Sequence, residues 1–196
     1  VAGKVYRPRM FRSLKNDHLY REGREELDEG GHRLYKDRDL KAIQKRSNYG
    51  RQVMHTSWLE HEYATLQRLH AAGVEVPRPY TTGHNAILMD YIGDEDMPAP
   101  PLAYIHLDRE EALSLYQRVV RNIELMLAHD RIHADLSACN ILYCEGDIWL
   151  IDFPQAIEPE ANPSAYRIFQ RDVVRVCEYF TRHGVRSQPY RLAADL

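Results

Sequence analysis

The chain has 196 residues, 44% of them hydrophobic and 28% charged, with a formal net charge of −3. That length and composition suit one globular domain, or two small lobes sharing a cleft, with enough apolar residues to bury a core. They exclude a disordered chain and give no global basic field for nucleic acid, so no direct nucleic-acid motif is expected.

Val1 to Tyr6 is short, apolar and β-prone, with Arg7-Pro8 as a stop. It reads as a strand already under way, so a segment upstream of Val1 is expected. Residues 12–52 are rich in Arg, Lys, Glu and Asp, with Gly23, Gly30, Gly31 and Gly50 interspersed. Their apolar periodicity is poor. They read as a long charged excursion with some helix around 37–46, either functional or merely solvated.

A helix is predicted over 56–72, capped by Thr56 or Ser57 with Glu60 completing a capping box, and stopped at Gly73. Leu59, Glu62, Leu66 and Leu69 share one face of it, and Glu62 is a carboxylate on an otherwise apolar stripe. Pro77 and Pro79 then force an extended path. Residues 86–92 read as a buried strand running to Gly93. The loop Asp94 to Pro101, rich in acid and proline, is the best boundary, dividing an N-terminal lobe (1–92) from a C-terminal lobe (93–196).

Residues 108–130 form a long amphipathic helix capped by Asp108, with Leu113, Tyr116, Val119, Val120, Ile123 and Leu127 inward. His133 to Asn140 is polar and irregular. Residues 141–143 and 148–151 read as a hairpin turning at Glu145-Gly146-Asp147. A last helix covers 163–183. The three cysteines, Cys139, Cys144 and Cys177, form no C-x-x-C pair, and the histidines form no H-E-x-x-H. A disulfide framework and a zinc cage are not suggested. No run of about 18 apolar residues occurs, so no membrane span is expected and a cytoplasmic location fits.

The strongest chemical signal is His133-x-Asp135-x-x-x-x-Asn140, followed after the hairpin by Asp152. Phosphoryl transfer needs a carboxylate for the proton of the attacking hydroxyl, and oxygen ligands for the Mg²⁺ that bridges nucleotide phosphates. Asp135 suits the first role. Asn140 and Asp152 suit the second, because the hairpin returns the chain to its start. The bland alternative is that these groups only cap loops beside a hairpin. Lys4 on the first strand can grip phosphates, or lie on a surface edge. An ion pair with Glu62 satisfies both groups, since an unpaired buried carboxylate is costly. Glu60 is the rival partner, but it points away from the Leu59 and Leu66 stripe. The segment Met89-Asp90-Tyr91-Ile92-Gly93 leaves backbone groups of Asp90 and Ile92 to meet an adenine edge.

This set resembles the catalytic and metal loops of protein kinases. The wording Asp135-Leu-Ser-Ala-Cys-Asn140-Ile-Leu-Tyr143 is similar to the D-L-S-x-x-N-I-L-Y of RIO kinases, and Leu150-Ile-Asp152-Phe-Pro-Gln155 to their I-D-F-P-Q. Leu69 to Val74 and Met97 to Pro100 resemble the first branch of that family. The resemblance implies an α+β, bilobal protein-kinase-like fold of reduced RIO type, with a truncated N-terminal lobe. It implies a serine/threonine protein kinase or ATPase using ATP with Mg²⁺ or Mn²⁺, acting on a protein hydroxyl or on itself. Asp135 and Asp152 are then catalytic, with phospho-Asp152 an intermediate in some members. Lys4, Glu62, Met89, Asp90, Ile92 and Asn140 bind the nucleotide, Asn140 and Asp152 the metal. Asp172 braces the catalytic loop. A ribosomal particle is a loosely inherited partner. Two departures stand out. No G-x-G-x-x-G occurs, and the 12–52 excursion looks longer than in relatives. A nucleotide-gated assembly factor, a small-molecule phosphotransferase and a pseudokinase remain as alternatives.

Overall fold

The computed structural model describes residues 1–6, 20, 22–45, 47–83 and 85–196. Three short strands, β1 (Ala2–Val5), β2 (Pro79–Gly83) and β3 (Ala86–Met89), form an antiparallel sheet in the order β1-β3-β2. Ala2 pairs with Met89 and Lys4 with Ile87, so these four share one face. Ile87 and Met89 are buried there, while Val5 and Leu88 on the other face are exposed. The pleat therefore turns Lys4 inward.

Helices α1 (Asp37–Gln44) and α2 (Asn48–Ala71) follow the N-terminal strand, and α2 packs against β2 and β3. The helix within 37–46 is present. The longer helix begins eight residues before the predicted start, so residues 48–52 belong to it and not to a loop. Its cap is Ser47, whose hydroxyl accepts from the Gly50 amide at 3.0 Å. Ser57 lies inside the helix, buried, and its hydroxyl accepts from the Leu27 amide at 2.9 Å. The predicted capping box at Glu60 is therefore absent. The first turns of α2 carry no apolar stripe, but they lie against α1, a tertiary contact that periodicity does not register. At the other end Gly73 adopts φ 79° and the Val74 amide bonds the Leu69 carbonyl at 3.0 Å, the stop that its glycine predicts.

Helix α3 (Arg109–Ala128) is capped by Asp108, which accepts from the Glu111 amide at 2.9 Å. Its buried face is Ala112, Leu115, Val119, Asn122, Ile123 and Met126. The predicted face is rotated from this. Leu113 is 47% exposed, and Tyr116, Val120 and Leu127 are half-buried. Asn122 explains the rotation: it accepts from the Glu75 amide at 2.8 Å and donates to the Glu75 carboxylate at 2.6 Å. A satisfied amide is cheap to bury, and an apolar scan passes over it.

Strands β4 (Ile141–Cys144) and β5 (Asp147–Leu150) form the hairpin. Its turn is the pair Glu145 and Gly146, both at positive φ, as a tight two-residue hairpin requires. Helix α4 (Ala165–Arg182) and a short α5 (Pro189–Asp195), which the sequence reading omits, close the chain. The architecture is α+β, as predicted. One core runs from Leu59, Leu66, Leu69 and Ile87 through Leu115 and Val119 to Ile148, Phe153, Val173 and Phe180. No helix among the described residues is long and apolar enough to cross a membrane.

Gly50 sets the approach of α1 to α2. A Cβ there would lie 2.0 Å from the Ala42 carbonyl oxygen. In an exposed helix, glycine to alanine gains about 1 kcal/mol. Gly50→Ala is expected to lower stability instead, by about 1–3 kcal/mol. Urea denaturation checks the sign, and a gain would show that the two helices separate freely.

Candidate active site

Glu62 lies in the middle of α2, on the stripe of Leu59, Leu66 and Leu69, and is 1% exposed. Its carboxylate accepts from Lys4 Nζ at 2.6 Å, from the Tyr6 hydroxyl and from the Phe153 amide at 3.2 Å. Thus it ties β1 to the chain just beyond β5. Glu60, the rival, is also buried, but on the other side, near Thr82. Its carboxyl is raised above the ordinary range, chiefly by burial.

Lys4 reaches a second carboxylate, Asp152 Oδ1, at 2.5 Å. Burial alone lowers the ammonium's pKa, but Glu62 and Asp152 together outweigh it and raise the pKa above its ordinary value. Asp152 sits at φ 70°, in the left-handed region, where Asp is better tolerated than most residues. That backbone kink ends the extended run and turns the side chain back toward Lys4. The Asp152 side chain remains 46% exposed.

The loop before the hairpin holds Asp135 and Asn140. Asn140 Nδ2 donates to the Asp135 carbonyl at 2.9 Å and approaches Asp135 Oδ2 at 3.5 Å. With the nitrogen so engaged, Asn140 Oδ1 is left as an acceptor. The Ile151 amide bonds the Asn140 carbonyl at 3.0 Å, which places Asp152 beside Asn140 at the hairpin base. A carboxylate and an amide oxygen are hard ligands suited to Mg²⁺. Among the described residues no group of three or more His, Cys, Asp or Glu is placed to hold a metal ion.

His133 is the strut between the two loops. Its Nε2 bonds the Ile151 carbonyl at 3.0 Å, and its Nδ1 accepts from the Asp135 amide at 3.3 Å. Both contacts fit one neutral tautomer. Its ring lies against Phe153, centroids 4.4 Å apart. Burial pushes its pKa down to about 4, against the pull of the Ile151 carbonyl. Ala134 sits at φ 66°, fully buried, and its carbonyl accepts from Arg171 Nη2 at 2.5 Å. The Arg171 guanidinium also bonds Asp172 Oδ1 at 3.0 Å. Asp172 is pushed up to about 6, chiefly by burial, with Arg171 and the Leu136 amide acting the other way. The Asp135 carboxylate receives Arg175 Nη1 at 2.9 Å.

In the segment after β3, the Asp90 amide donates to the Arg78 carbonyl at 3.0 Å and the Ile92 carbonyl accepts from the Ala99 amide at 2.9 Å. The Asp90 carbonyl and the Ile92 amide have no partner among the described residues. Met89 is buried on the same sheet face as Lys4. The structure therefore joins Lys4, Glu62 and Asp152 directly, and Asp135 to Asn140. It records no hydrogen bond or ion pair between either group and Met89, Asp90 or Ile92. The roles of His133 and Arg175 escape the sequence reading. His133 stands in the motif, but only its burial reveals a strut. Arg175 lies one helical turn after Arg171, and nothing in the sequence ties it to Asp135.

The chain matches the RIO1 family, described as the RIO domain, over residues 14–192. It is 33% identical over 135 residues to the RIO-type serine/threonine-protein kinase Rio1 of Thermoplasma acidophilum, covering 69% of each chain. It is 35% identical over 136 residues to serine/threonine-protein kinase RIO1 of Homo sapiens, covering 69% of this chain and 24% of that one. Human serine/threonine-protein kinase RIO3 is 33% identical over 132 residues, 66% of this chain and 25% of its own. The chain thus spans about a quarter of the human relatives' length.

His133 and Asp172 oppose one another in acid. His133 is lowered from 6.5 to about 4, so its contribution to stability is full above pH 6.5 and lost as pH falls toward 4. Asp172 is raised from 3.8 to about 6, so its contribution is full below pH 3.8 and lost as pH rises through 6. Relative to the parent chain, His133→Gln is expected to shift the slope of stability with pH toward a fall between pH 4 and 6. Asp172→Asn should shift it toward a rise over the same range. Urea midpoints across that range check both slopes.

Proposed function

The chain belongs to the RIO family, and from that premise we propose that it is an ATP- and divalent-metal-dependent phosphotransferase, a RIO-type serine/threonine protein kinase or ATPase. One observation carries the reading: Lys4 joins the buried Glu62 at 2.6 Å to the half-exposed Asp152 at 2.5 Å, beside the Asp135–Asn140 loop. A lysine held by a helix glutamate, next to an acid that can hold metal, is the arrangement protein kinases use for phosphoryl transfer. Burial of Glu62 anchors the lysine. Asp152 is the partner that the lysine shares with a cation.

Each residue then has a task. Lys4 grips the nucleotide phosphates. The Asp90 carbonyl and Ile92 amide meet the adenine edge, beside Met89. Asn140 Oδ1 and Asp152 hold Mg²⁺ or Mn²⁺, which when bound offsets the charge of the phosphates. Asp135 orients the acceptor hydroxyl and takes its proton as that oxygen bonds the γ-phosphorus and the bond to the ADP oxygen breaks. The acceptor is a protein hydroxyl or the protein itself. In a variant of this route an Asp152 oxygen bonds the γ-phosphorus as the bond to the ADP oxygen breaks, and water then hydrolyses the phospho-Asp152 to free carboxylate and phosphate. Residues 1–92 and 93–196 act as the two lobes around the cleft. The free cysteines fit a reducing cytoplasm.

A second reading has support of its own. Between Phe153 and α4 the chain has only residues 154–164, pinned by Arg24 to the Pro154 carbonyl at 3.0 Å and by the bridge of Ile132 with Ile157. No peptide-docking segment occurs in that interval. A nucleotide-gated assembly factor, bound to a ribosomal particle and turning over slowly, fits that feature.

The test is γ-labelled ATP with Mg²⁺, following released phosphate and label on the protein. Asp135→Asn is expected to lower turnover by about 10²–10⁴-fold while ATP still binds. Asp152→Asn, which keeps a residue tolerant of positive φ, should abolish metal-dependent binding and any hydroxylamine-sensitive label. Turnover that survives Asp135→Asn would remove that residue as the base. Tight ATP binding with negligible turnover in the parent chain would favour the assembly factor.

A further inference from the structure

Asp135 is held from below by an arginine that the shared motif does not contain. Helix α4 presents Arg171 and Arg175 one turn apart, on one face. The two have different targets. Arg171 binds backbone and neighbours: the Ala134 carbonyl at 2.5 Å, Asp172 at 3.0 Å and the Tyr20 hydroxyl at 2.8 Å. Arg175 binds the reacting side chain itself, Asp135 Oδ1, at 2.9 Å. Resting on the phosphotransferase reading above, we propose that Arg175 is a positioning residue that fixes the Asp135 carboxylate for the acceptor hydroxyl.

The argument is one of alternatives for that carboxylate. Its only other side-chain contact among the described residues is Asn140 Nδ2, at 3.5 Å to Oδ2, the limit of a hydrogen bond. Without Arg175 the carboxylate is free to rotate about its side-chain bonds. With Oδ1 engaged, Oδ2 is the oxygen left to meet an incoming hydroxyl. A guanidinium is suited to this, because it stays charged and directs its donors in a plane. Asp135 is the one carboxylate that Arg175 pairs with directly among the described residues, while its charge also acts on the neighbouring Asp172.

Both side chains are 41% exposed. An exposed ion pair contributes little to folding. Its removal should therefore leave stability nearly unchanged and act on the aim of the carboxylate, to which transfer is sensitive. A scaffold role predicts the reverse.

The experiment compares the parent chain with Arg175→Ala, Arg175→Lys, Asp135→Asn and the double variant Arg175→Ala with Asp135→Asn. The readouts are kcat, KM for ATP and thermal midpoint. Arg175→Ala is expected to lower kcat about tenfold, with KM and the midpoint unmoved. Arg175→Lys should recover part of the loss, and millimolar guanidinium should recover part of it in the alanine variant. In the Asp135→Asn background Arg175→Ala should cost nothing more, because the two act as a unit. A kcat that is unchanged or higher in Arg175→Ala, with the parent active, overturns the inference and leaves the kinase reading standing. A rise in KM alone also overturns it, assigning Arg175 to nucleotide binding. A parent chain without turnover removes the kinase reading and this inference with it.

Discussion

The buried carboxylate of Glu62 is the constraint around which the site is arranged. A charged group so far from water is tolerated only when its oxygens are filled. Here one ammonium, one phenol and one backbone amide fill them, from β1, from the residue after β1 and from the residue after Asp152. Two of those partners come from the start of the chain and the third from beyond the hairpin, with Glu62 on a helix between them. Satisfying one carboxylate therefore brings the sheet, α2 and the hairpin exit together. The same demand sets Lys4 in place, and Lys4 in turn holds Asp152.

The chain on either side of the hairpin is built on a different principle. Ala134 before it and Asp152 after it both have positive φ, a conformation that costs energy in a residue with a side chain. The surrounding groups overdetermine it. His133 bonds both sides of the gap, at Asp135 and Ile151, and Arg171 holds the Ala134 carbonyl. Burial keeps the imidazole neutral, so that one ring nitrogen donates and the other accepts. The strained backbone thereby fixes the paths of the chain on either side of His133.

Much of this was legible in the chain. The spacing of His133, Asp135, Asn140 and Asp152 is local, and a hairpin of fixed length returns the last beside the third. Glu62 showed itself as a carboxylate in an apolar stripe, which asks for a cation. The errors have physical causes. The start of α2 was misplaced because its first turns are held by α1 and not by an apolar face. The inward face of α3 was misread because Asn122, a polar residue, is buried and bonded to Glu75 and to the Arg118 carbonyl.

Sequence alone determined the spacing of the loop residues, the hairpin, the helix stop at Gly73 and the need of Glu62 for a partner, because each rests on spacing or on the nature of a single residue. Tertiary structure decided which groups meet across long separations. Lys4 touches Asp152 as well as Glu62, His133 becomes a neutral strut, and Arg175 reaches Asp135. These depend on the approach of separate elements and on the dielectric around them, and no short-range pattern encodes either.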